Sequence, residues 1–167
     1  MAGKSTATRA VVEVKAHILI IESRYYEAVA VALLEGALAE LKASGATFEK
    51  IVVPGALEIP QALAQAVAAG LIPADEAGSR YDGAIVLGCV IRGETAHYDI
   101  VVNNANHWLM EVAIRANVPL GNAILTVDTE AQALARAKGG RLGKGGDAVR
   151  ACLSLVQISR AFEEVDS

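Results

Sequence analysis

The sequence predicts an α/β protein, a three-layer α/β/α sandwich around a four-stranded parallel sheet. Short apolar runs alternate along the chain with longer amphipathic stretches, and this alternation occurs four times. The apolar runs are continuous, which is typical of parallel strands that are buried on both faces. The chain has 167 residues, of which 53% are hydrophobic and only 4% aromatic. This composition suits small-residue helices packed closely on a sheet.

The first half of the chain predicts two strand–helix units. The run A-H-I-L-I-I at 16–21 predicts the first strand, and F-E-K-I-V-V at 48–53 predicts the second, stopped by Pro54. Between them, apolar residues recur every three or four positions over 26–43, which predicts an amphipathic helix. Its other face should carry Glu27, Glu35, Glu40 and Lys42. A second helix is predicted over 59–69.

The second half repeats this pattern. The predicted elements are a loop at 70–81, a strand at 82–88, a helix at 98–116, a strand at 118–126, a helix at 129–138, a glycine loop at 139–146 and a last helix at 147–163. The last helix should direct five side chains inward: Val149, Cys152, Leu153, Val156 and Phe162. We predict a single domain over 16–167 behind a partly flexible arm, 1–15, whose residues 10–14 could add a strand to a neighbouring subunit.

Charge and composition exclude several classes of function. The net charge is −4 and the chain has no run of basic residues, so it lacks the electrostatic footprint of a nucleic-acid-binding protein. No apolar stretch is long enough to span a membrane, and the polar N-terminus does not resemble a secretory signal. The two cysteines have no metal-binding spacing, which favours a cytoplasmic protein without a metal site.

Ligands of open parallel sheets bind beyond the carboxyl ends of the strands. Every segment at that edge is rich in groups that contact ligands: E-S-R-Y-Y, P-G-A-L-E, C-V-I-R-G-E-T-A-H and V-D-T-E. In the third segment, Gly93 permits close backbone approach and Thr95 is a predicted N-cap, so the helix start suits a phosphate. His97 could transfer a proton there. The alternative is a turn glycine, a capping threonine and a surface histidine, with Arg92 as a scaffold residue paired with a carboxylate.

Four other residues admit two interpretations each. Glu58 could accept hydrogen bonds from ligand hydroxyls, or it could stabilise the first turn of its helix. Tyr25 could stack on a ring, or it could be a core or interface aromatic. Arg136 and Lys144 could each approach an anion, or they could be solvated surface residues.

Two long motifs resemble the lumazine synthase family. They are V-P-G-A-L-E-I-P at 53–60 and L-G-C-V-I-R-G-E-T-A-H-Y-D at 87–99, and the similarity extends over about 16–163. The resemblance implies a flavodoxin-like fold and a cytoplasmic enzyme of riboflavin biosynthesis. Members condense 5-amino-6-(D-ribitylamino)uracil with 3,4-dihydroxy-2-butanone 4-phosphate, release phosphate and water, and use no cofactor. The competing interpretations are another phosphosugar lyase or isomerase, and a non-catalytic flavin-binding or shell-forming paralogue.

The resemblance also implies a role for each site residue. His97 matches the proton donor. The ribitylaminouracil would contact Tyr25, Ala56, Leu57, Glu58, Cys89, Val90, Ile91, Asn122 and Lys144, and the butanone phosphate would contact Glu94, Thr95 and Arg136. Members assemble as pentamers or multiples of pentamers, so Asn122, Arg136 and Lys144 would reach the site across an interface. Riboflavin synthase is a further partner that the resemblance suggests.

Two positions depart from the family pattern. Asn122 stands where many members carry an aromatic residue that closes a stack on the pyrimidine, so the ring should be held differently. Glu94 replaces a residue that is often small and adds negative charge near a phosphate. We therefore expect Glu94 to contribute through its backbone.

Overall fold

The structure is a computed structural model that describes residues 11–75 and 77–166. The chain contains, in order, β1 (His17–Ser23), α1 (Glu27–Ser44), β2 (Thr47–Val53), α2 (Glu58–Ala68), β3 (Gly83–Ile91), α3 (His97–Ala116), β4 (Leu120–Val127), α4 (Glu130–Ala137), a 3-10 turn (Gly140–Leu142) and α5 (Lys144–Val165). Every predicted strand and helix is confirmed. The main differences are that β3 continues to Ile91 and that α5 begins at Lys144, inside the predicted glycine loop.

The four strands are parallel and lie in the order β2-β1-β3-β4, which confirms the flavodoxin-like architecture. The chain passes from β1 outward to β2 and then crosses to β3 on the opposite side of β1. The connections after β1 and β3 therefore leave the sheet in opposite directions. A crevice opens at such a switch point, beyond the carboxyl ends of the two strands.

Each face of the sheet packs against its own set of helices. On one face, Ile18 and Ile20 of β1 lie in a buried cluster with residues of α1, α4 and α5. On the other face, Leu19 and Ile21 pack with residues of α2 and α3. This alternation along β1 is the period of two expected for a strand that is covered on both sides.

Small residues allow α5 to lie very close to its neighbours. A Cβ atom added at Gly121 of β4 would lie 1.9 Å from the backbone oxygen of Ala148 in α5. A Cβ atom added at Gly145 would lie 2.1 Å from the backbone oxygen of Leu33 in α1. Both distances are far below van der Waals contact, so the position of α5 depends on these glycines.

Two predicted side-chain orientations are wrong. Glu40 was expected on the exposed face of α1, but it is 1% exposed. It binds Arg141 at 2.7 Å and Arg150 at 3.1 Å, and this pairing compensates for its burial. Phe162 was expected in the core but is 70% exposed, because α5 extends past the sheet at that point into a shallow groove beside α3.

The segment before β1 has no regular secondary structure over 11–16. Val14 is buried there, and its backbone N–H donates to the carbonyl of Ser44 at 2.9 Å. Residues 11–14 form no strand within this chain, and residue 10 lies outside its described part. The pairing of a strand at 10–14 with a neighbouring subunit stays a prediction. Among the described helices, none is both long and apolar enough to cross a membrane.

Candidate functional site

A cavity of about 440 Å³ opens at the switch point between β1 and β3. Its walls are the turn after β1, the start of α2, the end of β3 and the start of α3. It brings together nine of the residues predicted for the site: Tyr25, Ala56, Leu57, Glu58, Cys89, Val90, Ile91, Thr95 and His97. The prediction that the segments after these strands meet at one edge is therefore confirmed in this chain.

Tyr25 presents its ring to the cavity from the turn between β1 and α1. The side chain is 76% exposed, which excludes a place in the core of this chain. Tyr26 meets it edge to face, with the ring centroids 5.0 Å apart. Tyr26 is partly buried against the core, and this burial raises the pKa of its phenol. One tyrosine thus supports the other, which leaves a ring face free to stack on a ligand.

Glu58 occupies the first turn of α2, as one of its two interpretations requires, and it also lines the cavity. The backbone N–H of Glu58 donates to the carbonyl of Gly55 at 3.2 Å. A Cβ atom at Gly55 would lie 3.2 Å from Oε2 of Glu58, so the missing side chain lets the carboxylate lie against the turn. Ala56 is buried beneath, while Leu57 and Glu58 are half-buried.

The end of β3 forms the opposite wall. Cys89, Val90 and Ile91 are strand residues rather than loop residues, and they pair in register with Leu125, Thr126 and Val127 of β4. Burial raises the pKa of the Cys89 thiol to about 11, and the carboxylate of Glu130 adds a smaller effect in the same direction. The thiol is therefore protonated at neutral pH and is a poor nucleophile.

The loop before α3 carries the polar groups of the third wall. Thr95 is not the N-cap that the sequence predicts, since Ala96 occupies that position. The Thr95 hydroxyl instead accepts from the backbone N–H of His97 at 3.3 Å. Both Thr95 and His97 are exposed at the mouth of the cavity, whereas the exposed Glu94 is not part of its lining.

Arg92 joins the three elements that border this loop. Its Nε donates to Asp128 after β4 at 3.0 Å, and Nη1 lies 3.8 Å from Asp99 of α3. The guanidinium also lies over the ring of Tyr98, 4.3 Å from its centroid. The pairing of Arg92 with carboxylates, which was the alternative interpretation, is thus observed. This arginine fixes the ends of the loop, and its backbone N–H extends the β3–β4 ladder to Val127.

Besides Glu94, three predicted site residues lie outside the cavity of their own chain. Asn122 of β4 donates to Asn106 of α3 at 3.0 Å, and its side-chain oxygen accepts from the backbone N–H of Ile124. Arg136 is exposed in the last turn of α4. Lys144 begins α5 and lies 3.6 Å from Asp147. Among the described residues that line the cavity, none is a lysine or an arginine.

The cavity also includes residues that sequence reasoning did not assign to it: Tyr26, Pro54, Gly55, Tyr98 and Val101. Proline and glycine at the end of β2 belong to the predicted ligand-edge segment P-G-A-L-E, but no contact was predicted for them individually. Their position at the same edge as Glu58 was the available clue. Within the described part of the chain, no cluster of three or more His, Cys, Asp or Glu side chains could hold a metal ion.

A flavodoxin-like sheet with a carboxylate, an imidazole and an exposed aromatic side chain in a cavity at its switch point is typical of proteins that bind a small molecule. The family model described as 6,7-dimethyl-8-ribityllumazine synthase matches residues 15–160. The chain belongs to this family.

Several similar proteins carry that family name. The "6,7-dimethyl-8-ribityllumazine synthase 1" of Rhodopseudomonas palustris is 53% identical over 145 residues, covering 87% of this chain and 86% of that protein. Proteins named 6,7-dimethyl-8-ribityllumazine synthase from Azorhizobium caulinodans and Agrobacterium fabrum are 52% and 49% identical, over 87% of this chain in both cases. They are covered over 87% and 96% of their own length, respectively.

Proposed function

We propose that this chain is an active lumazine synthase, a transferase that condenses 5-amino-6-(D-ribitylamino)uracil with 3,4-dihydroxy-2-butanone 4-phosphate. The observation that carries the proposal is the cavity at the switch point, which is lined by nine of the site residues predicted from the sequence. A flavin-binding paralogue would also use the carboxylate of Glu58 for the ribityl hydroxyls, but it would have no need of the imidazole of His97.

The ribitylaminouracil occupies the deeper part of the cavity. The ring of Tyr25 stacks on the pyrimidine, and the backbone of Cys89–Ile91 hydrogen-bonds to its edge. The ribityl chain runs along Ala56–Glu58, where the carboxylate of Glu58 accepts hydrogen bonds from the sugar hydroxyls. Charge-assisted hydrogen bonds of this kind are stronger than neutral ones, which gives Glu58 the main role in recognising the sugar.

The butanone phosphate lies at the mouth, against the loop before α3. Free backbone N–H groups at a helix start and the Thr95 hydroxyl suit a phosphate. Glu94 is exposed and lies outside the cavity lining, and we assign only its backbone, at the rim, to the phosphate. His97, at the first position of α3, stands between the two substrates.

A neighbouring subunit completes the site. The phosphate carries about two negative charges at neutral pH. The described lining of the cavity nevertheless contains no lysine or arginine to balance them. We therefore assign Arg136 to the phosphate, with Lys144 and Asn122 near the pyrimidine, all three supplied by the adjacent subunit of a pentamer or of a multiple of pentamers. The arm at 1–15 adds its strand, 10–14, to the neighbour, and 16–167 form one domain.

The chemistry requires positioning and proton transfer. The amine of the uracil attacks the ketone and loses water to form a Schiff base, phosphate is eliminated, and the ring closes with loss of water. Holding two substrates in contact supplies much of the acceleration, and His97 moves protons between steps. Cys89 contributes no nucleophile because its thiol stays protonated.

The direct test mixes the purified protein with both substrates and follows the fluorescence of the lumazine. Production of lumazine supports the proposal. Binding of riboflavin without turnover would instead establish the paralogue. The activity fits a cytoplasmic protein, and riboflavin synthase, which uses the product, is the partner to test by co-purification.

A further inference from the structure

We infer that Glu22 and Arg24 are positioning residues for Tyr25, and through it for the affinity of the site for the pyrimidine substrate. The inference rests on the proposed function, since it takes Tyr25 as the ring that stacks on that substrate. Glu22 is the penultimate residue of β1 and is 0% exposed. A fully buried carboxylate is costly unless its oxygens are fully paired, so its place beside the cavity requires an explanation.

Glu22 is paired by two cations from different elements. Both of its carboxylate oxygens accept from Nη1 of Arg24, at 3.0 Å and 3.1 Å. Oε1 also accepts from Nζ of Lys50 on β2 at 2.6 Å. The carboxylate thus ties the turn after β1 to the edge strand of the sheet.

Arg24 uses the rest of its guanidinium on the first turn of α1. Nη2 donates to Oε1 of Glu27 at 2.6 Å, and Nε donates to Oε2 at 3.3 Å. One planar side chain therefore bridges the end of β1 and the start of α1, with residues 25 and 26 between its two anchors. The planar guanidinium of an arginine can bind two carboxylates at once in a fixed geometry, whereas the ammonium group of a lysine cannot.

The stability of the fold does not explain this arrangement well. Replacing a buried ion pair with apolar residues of similar size is often neutral or stabilising, so such pairs are weak evidence for stability. The paired residues Glu22, Arg24 and Glu27, here called the clamp, flank Tyr25 in the chain on both sides. Tyr25 is the exposed aromatic residue that the family resemblance assigns to stacking. Tyr25 is otherwise supported by the edge contact with Tyr26 alone among the described ring contacts. The geometry therefore assigns the clamp to the orientation of that ring.

The test compares Glu22→Gln and Arg24→Met with wild type and measures the KM of each substrate separately. Stacking of an aromatic side chain contributes to binding of a base, so loss of the orientation of the ring should raise the KM of ribitylaminouracil about tenfold. The KM of the butanone phosphate and kcat should stay within about twofold. Glu49→Gln is the matched control. Glu49 binds Arg80 and Tyr81, away from the cavity, and its loss should leave both KM values unchanged.

A double-mutant cycle separates positioning from general destabilisation. In a Tyr25→Ala background, Glu22→Gln should cause no further rise in the KM of ribitylaminouracil, since the ring through which it acts is gone. Equal rises in both KM values, or effects that add in the double variant, would overturn the inference. Wild-type lumazine production in the same assay establishes the proposed function independently of this result.

Discussion

If the site is composite, two impaired variants should partly restore each other's activity when their subunits are mixed. His97→Ala disables the cavity of its own chain but leaves its Arg136 intact. Arg136→Ala does the reverse. In an oligomer that contains both variants, some sites combine the intact cavity of one subunit with the intact Arg136 of its neighbour.

The magnitude follows from the geometry of the shared site. In a ring assembled at random from equal amounts, the cavity is intact with a chance of one half, and so is the neighbour's arginine. About 25% of the sites are therefore wild type. Each variant alone should retain at most about a tenth of kcat/KM, because general acid–base catalysis and a charged hydrogen bond each contribute at least that much.

The assay unfolds and refolds the two variants together, confirms mixed assembly by mass, and measures kcat/KM at low butanone phosphate. The matched control mixes His97→Ala with Glu58→Ala. Both residues line the cavity of one chain, so every site keeps one defect and no activity returns. Activity no higher than the sum of the two variants, despite confirmed mixing, would refute the composite site.

Three further predictions concern single residues. His97→Ala should lower kcat about ten- to a thousandfold, and an unchanged rate in a stopped-flow assay would remove His97 from the mechanism. Gly121→Ala should cost about 3 kcal/mol of unfolding free energy or more, because its Cβ would lie 1.9 Å from the Ala148 oxygen. Gly93→Ala has open space and should keep the wild-type melting temperature; equal melting temperatures for both variants would contradict this packing argument. Burial raises the pKa of Cys152 from 9.0 to about 12. The folded thiol stays protonated while the unfolded thiol ionises, so stability should fall by about 1.4 kcal/mol per pH unit above pH 9. Denaturant titrations at pH 8 and pH 10.5 should show a smaller loss for Cys152→Ala, and an identical loss would exclude this thiol.

Local pattern was sufficient to predict the elements of the fold. Short, β-branched apolar runs such as 16–21 favour buried strands, and the carboxyl-edge rule then predicts from sequence that Glu58 and His97 lie at one edge. The burial of Glu40 could not be predicted, because its partner Arg141 lies 101 residues away. Periodicity describes one helix at a time and contains no information on such a pairing.

The details of the site were less predictable than its location. Helix α5 begins at Lys144, so Gly145 and Gly146 belong to its first turn. These glycines are needed there because a Cβ atom at either position would collide with the backbone of Leu33 or Arg141. Glycines in sequence suggested a loop instead. Phe162 was expected inside because it fits the apolar stripe of α5, but the sheet ends before it. The apolar pattern of α5 identifies the residues on its apolar face. It does not indicate whether the same chain or another chain buries each of them.

The division of helices between the two faces of the sheet has a consequence for synthesis of the chain. The face covered by α2 and α3 is complete once the chain has reached Ile124 in β4. The opposite face needs α5, which supplies Val149, Cys152, Leu153 and Val156 to its core. A nascent chain emerging from the ribosome can therefore bury one side of its sheet early, while the other side stays open to water until the last helix leaves the exit tunnel.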